Sequence, residues 1–236
     1  GSAAQSMSPA AIPTGHNNKG FFKRALMNLF IIAFMFGFVE LYTFCLGSGN
    51  GLIGLTISLA IISFWRTDIG IKPLQGAFVI WGSFLLTGGA TFLASFHPAI
   101  GVFVNFASIY IILTLTSHQP MAKAYYPILS CYLFAQSSPV YGIDYGLRMI
   151  GIAGGGLIVA IIYYMRHRKV KRRRNITDIF RETHFCSIRT KFFIRLTTGL
   201  TIAMLIGDFY HVLKPAWISF TVLSLVHPFV NESRKK

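Results

Sequence analysis

The sequence predicts an all-α, polytopic membrane protein, and three observations carry that prediction. Of 236 residues, 53% are hydrophobic and only 12% charged, with a mean hydropathy of +0.57, well above ordinary water-soluble domains. Apolar runs of about twenty residues, the length needed to cross roughly 30 Å of hydrocarbon, recur along the chain. The net charge of +15 is concentrated in the connectors on one side of those runs.

Residues 1–18 are small and polar and are expected to form a disordered tail, with Gly1–Ser6 reading as an appended stretch ahead of Met7. The first apolar run is too long for a signal peptide and lacks a small-residue cleavage site. Ala25–Gly47 is the first candidate span, interrupted by Glu40, and Gly51–Trp65 a shorter second, closed by Arg66 and Asp68. Pro73–Phe96 is the third, stopped by His97 and Pro98, and Ala99–Thr116 the fourth. A polar stretch containing Pro120 separates these from Pro127–Ser138, a fifth run of marginal length. Ile143–Met165, Phe192–Val212 and Pro215–Val230 bring the count to eight. The second, fifth and eighth are short enough to be half-inserted or re-entrant helices. The organisation expected is a six-helix unit over 19–165, a basic connector over 166–191, and two helices with a basic tail over 192–236.

Charge placement tests this count. With a cytoplasmic N-terminus and eight spans, 20 of the 22 Lys and Arg fall on the inner side, leaving only Arg148 and Lys214 outside it. The positive-inside rule favours that split, and removing any one span spoils it, so both termini are expected in the cytoplasm. The run Arg166–Arg174 abuts an apolar helix, which favours an orientation and lipid-headgroup anchor over a nucleic-acid patch. Asn175–Thr190 then reads as an amphipathic helix at the membrane surface, capped by Asn175 with Asp178 three residues on and Ile176, Ile179, Phe180 and Ile188 on its apolar face. Cys45, Cys131 and Cys186 lack metal-ligand spacing and are expected to act as small buried hydrophobes, with no disulfide or metal.

Phe21-Phe22-Lys23-Arg24 opens the first span and Phe192-Phe193-Ile194-Arg195 the seventh, 171 residues later. Six spans separate the copies, so both face the same way, as in parallel-repeat transporters, and the second repeat stops after two helices. Six spans and a cytoplasmic segment lead to Arg195-Leu-Thr-Thr-Gly-Leu-Thr and then Lys214-Pro-Ala-Trp217-Ile-Ser-Phe-Thr221-Val-Leu. This arrangement resembles the fusaric acid resistance and aromatic acid exporter superfamily, in which a proline, a tryptophan and a threonine-valine pair recur at the second helix of each repeat. The matching stretch is Thr190–Phe229. The first repeat departs from the pattern, with Ser48-Gly49-Asn50-Gly51 where tryptophan is expected. The resemblance implies efflux of small organic acids across a bacterial inner membrane, driven by the proton gradient.

An ionised carboxylate deep in a bilayer costs about 2.5–3.5 kcal/mol even on lenient scales, so Glu40 calls for a functional reason. Through the repeat offset Glu40 corresponds to His211, with Asp208 one turn earlier, and these three are the candidate proton-coupling groups; the headgroup boundary is the plainer reading of Asp208 and His211. Arg148 is the candidate to hold a substrate carboxylate in a bidentate fork, against a simple surface pair with Asp144. Lys214 reads as a snorkelling interfacial lysine. Asn105 and Gln136 are candidates to face a substrate path, or else form interhelical hydrogen bonds. The 35 aromatic residues suit either an aromatic substrate or a lipid-facing surface. Gly82, Gly88 and Gly89, and Gly151 and Gly154–Gly156, either permit close helix packing or mark broken helices, packing being favoured.

No nucleophile elbow, phosphate loop or metalloprotease pattern is present, so no enzymatic activity and no cofactor are expected. The function expected is proton-coupled export of small organic, including aromatic, acids by a homodimer that completes the pathway. The alternatives are a passive organic-anion channel and a scaffold that transports nothing. Membrane lipids are the other expected partner.

Overall fold

A computed structural model describes residues 18–117, 123–171, 174–181, 188–210 and 215–226. Among them all regular structure is helical: α1 (Asn18–Leu46), a 3-10 turn (Ser48–Asn50), α2 (Gly51–Arg66), α3 (Pro73–Ala94), α4 (Pro98–Thr116), α5 (Tyr126–Ser137), α6 (Ile143–His167), α7 (Ile176–Arg181), α8 (Ile188–Phe209) and α9 (Pro215–Leu225). Helices are what lipid demands, because a backbone with no water to bond must satisfy itself within one segment.

Six segments are long and apolar enough to cross a membrane: Phe21–Leu46, Ser48–Arg66, Pro73–Ala94, Pro98–Thr116, Ile143–His167 and Ile188–Phe209. They mark a multi-pass membrane protein, with six such helices among the described residues; the other two of the eight runs counted from hydropathy form shorter helices. The fifth run forms a helix of 12 residues, about 18 Å long. The eighth forms one of 11 residues over Pro215–Leu225, and 227–236 lie outside the described residues. Both runs form helices where hydropathy placed them, and both are short, as their apolar lengths indicate.

Pro73 and Pro98 start α3 and α4 in the first helical turn, where a missing N–H is no loss. Helix α5 occupies the middle of the bundle, packed against α2 and α3 on one side and α9 on another, with smaller contacts to α4 and α8. Eight of its twelve residues are buried, Cys131 and Tyr132 among them. Around it, α6 lies along α3 and α2, α3 on α4, and α4 on α8. Helix α1 is peripheral: its main contacts are with α2, the 3-10 turn and α6, and Tyr42 is its one buried side chain over residues 21–46.

Glycines in α6 set how closely its neighbours approach. A Cβ at Gly151 would strike the Tyr42 hydroxyl, at Gly155 the Ile57 side chain, and at Gly156 Phe84 Cβ at 2.6 Å. Gly88 on α3 gives the same room to Met149, whereas Gly82, Gly89 and Gly154 have open space. Both helices run unbroken through these glycines, and Gly88, Gly151, Gly155 and Gly156 serve close packing.

The basic connector folds back onto the bundle. Lys72 N–H donates to the Arg174 carbonyl (3.1 Å) and Ile176 N–H to Gln75 Oε1 (3.0 Å). The Arg166 guanidinium lies over the Trp65 ring at 5.6 Å, and the Tyr163 hydroxyl donates to Asp68 Oδ1 (2.8 Å). The long amphipathic helix expected over Asn175–Thr190 is a six-residue α7, Ile188–Thr190 belonging to α8 and 182–187 lying outside the described residues. Its cap also differs. Asp178 Oδ2 accepts from the Asn175 N–H (2.8 Å), while Asn175 Oδ1 is buried without a partner. Ile179 is buried and α7 packs on α4, whereas Phe180 and Ile188 of the expected apolar face are exposed. Cys131 is buried as expected, Cys45 is exposed on α1, and Cys186 is outside the described residues.

Candidate functional site

The helix ends opposite the basic connector, hereafter the far end, surround a vestibule of about 590 Å³. Thr91 and Ser95 from the end of α3, Gln136 from α5, Tyr141 and Tyr145 around the start of α6, and Asp208 from α8 line it. Tyr145 stacks on Phe92 with ring centroids 4.5 Å apart and reaches the Gly88 carbonyl at 3.4 Å. The wall is therefore part aromatic and part hydroxyl and amide, the mixture that lets a pocket hold a flat organic molecule and orient its polar end.

The vestibule exists because α5 stops short. A helix ends with four carbonyls that lack an intrahelical partner, and at the end of α5 Ala135 is buried and residues 136–138 are half-buried. Arg148, on α6 and only 3% exposed, supplies the donors. Its Nη1 donates to the carbonyls of Ala135 (3.3 Å) and Ser138 (2.5 Å), its Nε to Asn50 Oδ1 (2.8 Å), and its Nη2 to the Gly49 carbonyl (3.0 Å). Asn50 is buried and in turn donates through Nδ2 to the Leu46 carbonyl (2.8 Å). One guanidinium thus ties the α1–α2 turn to the end of α5, a task its planar fork performs and a lysine ammonium does not. Neither expectation for Arg148 describes these contacts: its hydrogen bonds go to backbone and Asn50, with Asp144 exposed on the first turn of α6.

The remaining candidates are dispersed. Gln136 and Asp208 meet at the vestibule, Asp208 on its exposed rim. Gln136 Oε1 is buried with no hydrogen-bond partner. Asn105 is buried between helices, where Oδ1 accepts from the Tyr132 hydroxyl at 2.7 Å. Tyr132→Phe removes this bond and leaves a buried acceptor unpaired, so it should lower stability by about 1–2 kcal/mol. A double-mutant cycle with Asn105→Leu, read by thermal unfolding in detergent, should show coupling between the two positions.

Glu40 lies on the exposed face of α1, which has no part in the vestibule. His211 and Lys214 lie outside the described residues. The two aromatic pairs of the repeat also differ in setting: Phe21 and Phe22 are exposed, whereas Phe192 and Phe193 are buried. The polar cluster around Arg148 was missed at the sequence level. Its available signals were an asparagine in a glycine-rich turn and an apolar run too short to leave the bundle.

No protein-family model matches the sequence. No curated protein and no solved structure is significantly similar to it.

Proposed function

We propose that the protein is an efflux transporter for small organic acids, aromatic ones included, with the far-end vestibule as its release mouth. The observation that carries this reading is the vestibule itself: an aromatic and amide-lined recess among membrane-spanning helices, with Gln136 among its lining residues. A primary amide pairs with a carboxylic acid through two hydrogen bonds, its carbonyl accepting from the acid O–H and its NH2 donating to the acid carbonyl. Phe92 and Tyr145 offer stacking surface for the ring. With the Arg148 donors bound to the end of α5, the acid is better held in its neutral form than as an anion on a guanidinium. Placement in a bacterial inner membrane, with both termini on the cytoplasmic face and proton coupling through Glu40, Asp208 and His211, belongs to this same proposal.

Flux of benzoate and larger aromatic carboxylates from proteoliposomes, with and without a pH gradient, tests it. Wild type should show gradient-dependent flux, Gln136→Leu about a tenfold lower rate through loss of the amide contact, and Glu40→Gln no response to the gradient. Equal flux without a gradient would identify a passive channel, and no flux under either condition a scaffold.

A further inference from the structure

Glu40 stands where lipid is expected. The Tyr42 ring packs over Gly54 and its hydroxyl over Gly151, which places this part of α1 eight residues into α6, about 12 Å from its far end. The side chains of α1 lean toward its N-terminus, carrying the carboxyl further toward mid-membrane. Glu40 is nevertheless exposed, as are its neighbours on that face. A carboxyl at this depth seeks a polar partner, and neither Arg148 nor Arg195 supplies one. Arg148 is enclosed by its four acceptors. Arg195 is exposed seven residues into α8, about 10 Å from the opposite, basic end, and leans toward that end.

The exposed face has a periodicity of its own. Leu26, Phe30, Ala33, Gly37, Glu40 and Phe44 alternate by four and three residues, and all six are exposed. That is the a/d spacing by which two helices interlock along a shared line. Gly37 adds an independent observation. A mid-helix glycine weakens a helix, and no atom of the described residues lies within 4 Å of the Cβ it lacks. Nothing among the described residues requires room there, whereas a close-packed second helix does.

We infer that α1 pairs in parallel with α1 of a second copy, along the line from Leu26 to Phe44, with the two Glu40 carboxyls hydrogen-bonded to each other across the contact. A two-fold axis along the membrane normal sets every residue beside its own counterpart at the same depth, so a second copy meets Glu40 with a polar group, its own Glu40. Ala33 and Gly37 let the backbones close. The inference rests on helix geometry and does not depend on transport.

Disulfide cross-linking in native membranes tests it, using single cysteines in a background without Cys45, Cys131 and Cys186. Ala33→Cys should form a covalent dimer on mild oxidation, and Ile32→Cys, exposed on the adjacent flank, should not. In detergent, Gly37→Leu should weaken dimerisation about tenfold or more and Glu40→Leu similarly, with Glu40→Gln closer to wild type because an amide also bonds across helices. Cross-linking at neither position, or equally at both, would overturn the inference. So would a cross-link from Ala33→Cys that forms only with a cysteine on α8, which signifies a head-to-tail contact with the Arg195 side of the neighbour.

Discussion

Arg148→Met should destabilise the folded protein in detergent by about 3–5 kcal/mol, the range for removing one partner of a buried charged hydrogen-bond network. Four acceptors lose their donor at once: the carbonyls of Gly49, Ala135 and Ser138, and Asn50 Oδ1. A buried carbonyl left alone costs about 1–3 kcal/mol, and part of that sum is offset because a methionine need not be desolvated as a cation must. Arg148→Lys should recover only part of the loss, since an ammonium cannot span acceptors on two elements. Thermal unfolding followed by tryptophan fluorescence, with the yield of monodisperse protein, reads the effect. A variant that melts like wild type but no longer moves carboxylates would assign Arg148 to substrate binding and remove its architectural role.

The glycines of α6 should divide sharply when each is replaced by leucine. Gly155→Leu must displace Ile57, and Gly156→Leu must displace Phe84 close to its backbone, where a side chain has little freedom to move away. Overpacking of this kind costs about 1–3 kcal/mol and sometimes more, and the upper end is expected where α6 lies against both α2 and α3. Gly154→Leu, just before them in sequence, meets nothing within 4 Å and should be neutral within about 0.5 kcal/mol. Gly154→Ala should stabilise α6 by up to about 1 kcal/mol through helix propensity alone. Melting temperatures of the four variants in one detergent decide this, and equal losses at Gly154 and Gly155 would contradict the packing described.

Much of the chain was legible before any coordinates. The long runs that became α3, α4, α6 and α8 lie within four residues of the bounds read from hydropathy, while α1 begins seven residues earlier. Backbone satisfaction in lipid leaves an apolar run of that length little alternative to helix. Pro73 marks the start of α3 and Pro98 the boundary between α3 and α4, and Gly151, Gly155 and Gly156, though not Gly154, are contact points. The candidate site was far less legible. Arg148 looked like a lone cation open to a ligand, and only the stopping place of α5 beside it shows what its donors serve. Gln136 and Asp208, 72 positions apart, share one vestibule only because α5 and α8 end at the same level.

Composition and the spacing of apolar runs by themselves determined that this is a helical protein of the membrane, and roughly where its helices lie. Which side of each helix faces its neighbours was decided only by the tertiary structure. In water a helix advertises its buried face by being apolar on one side. In lipid both faces are apolar, so Phe44, fully outward, and Phe84, fully buried, are the same letter in the same kind of run. Facing is then set by shape and by the few polar groups that must find partners, and those partners come from distant parts of the chain.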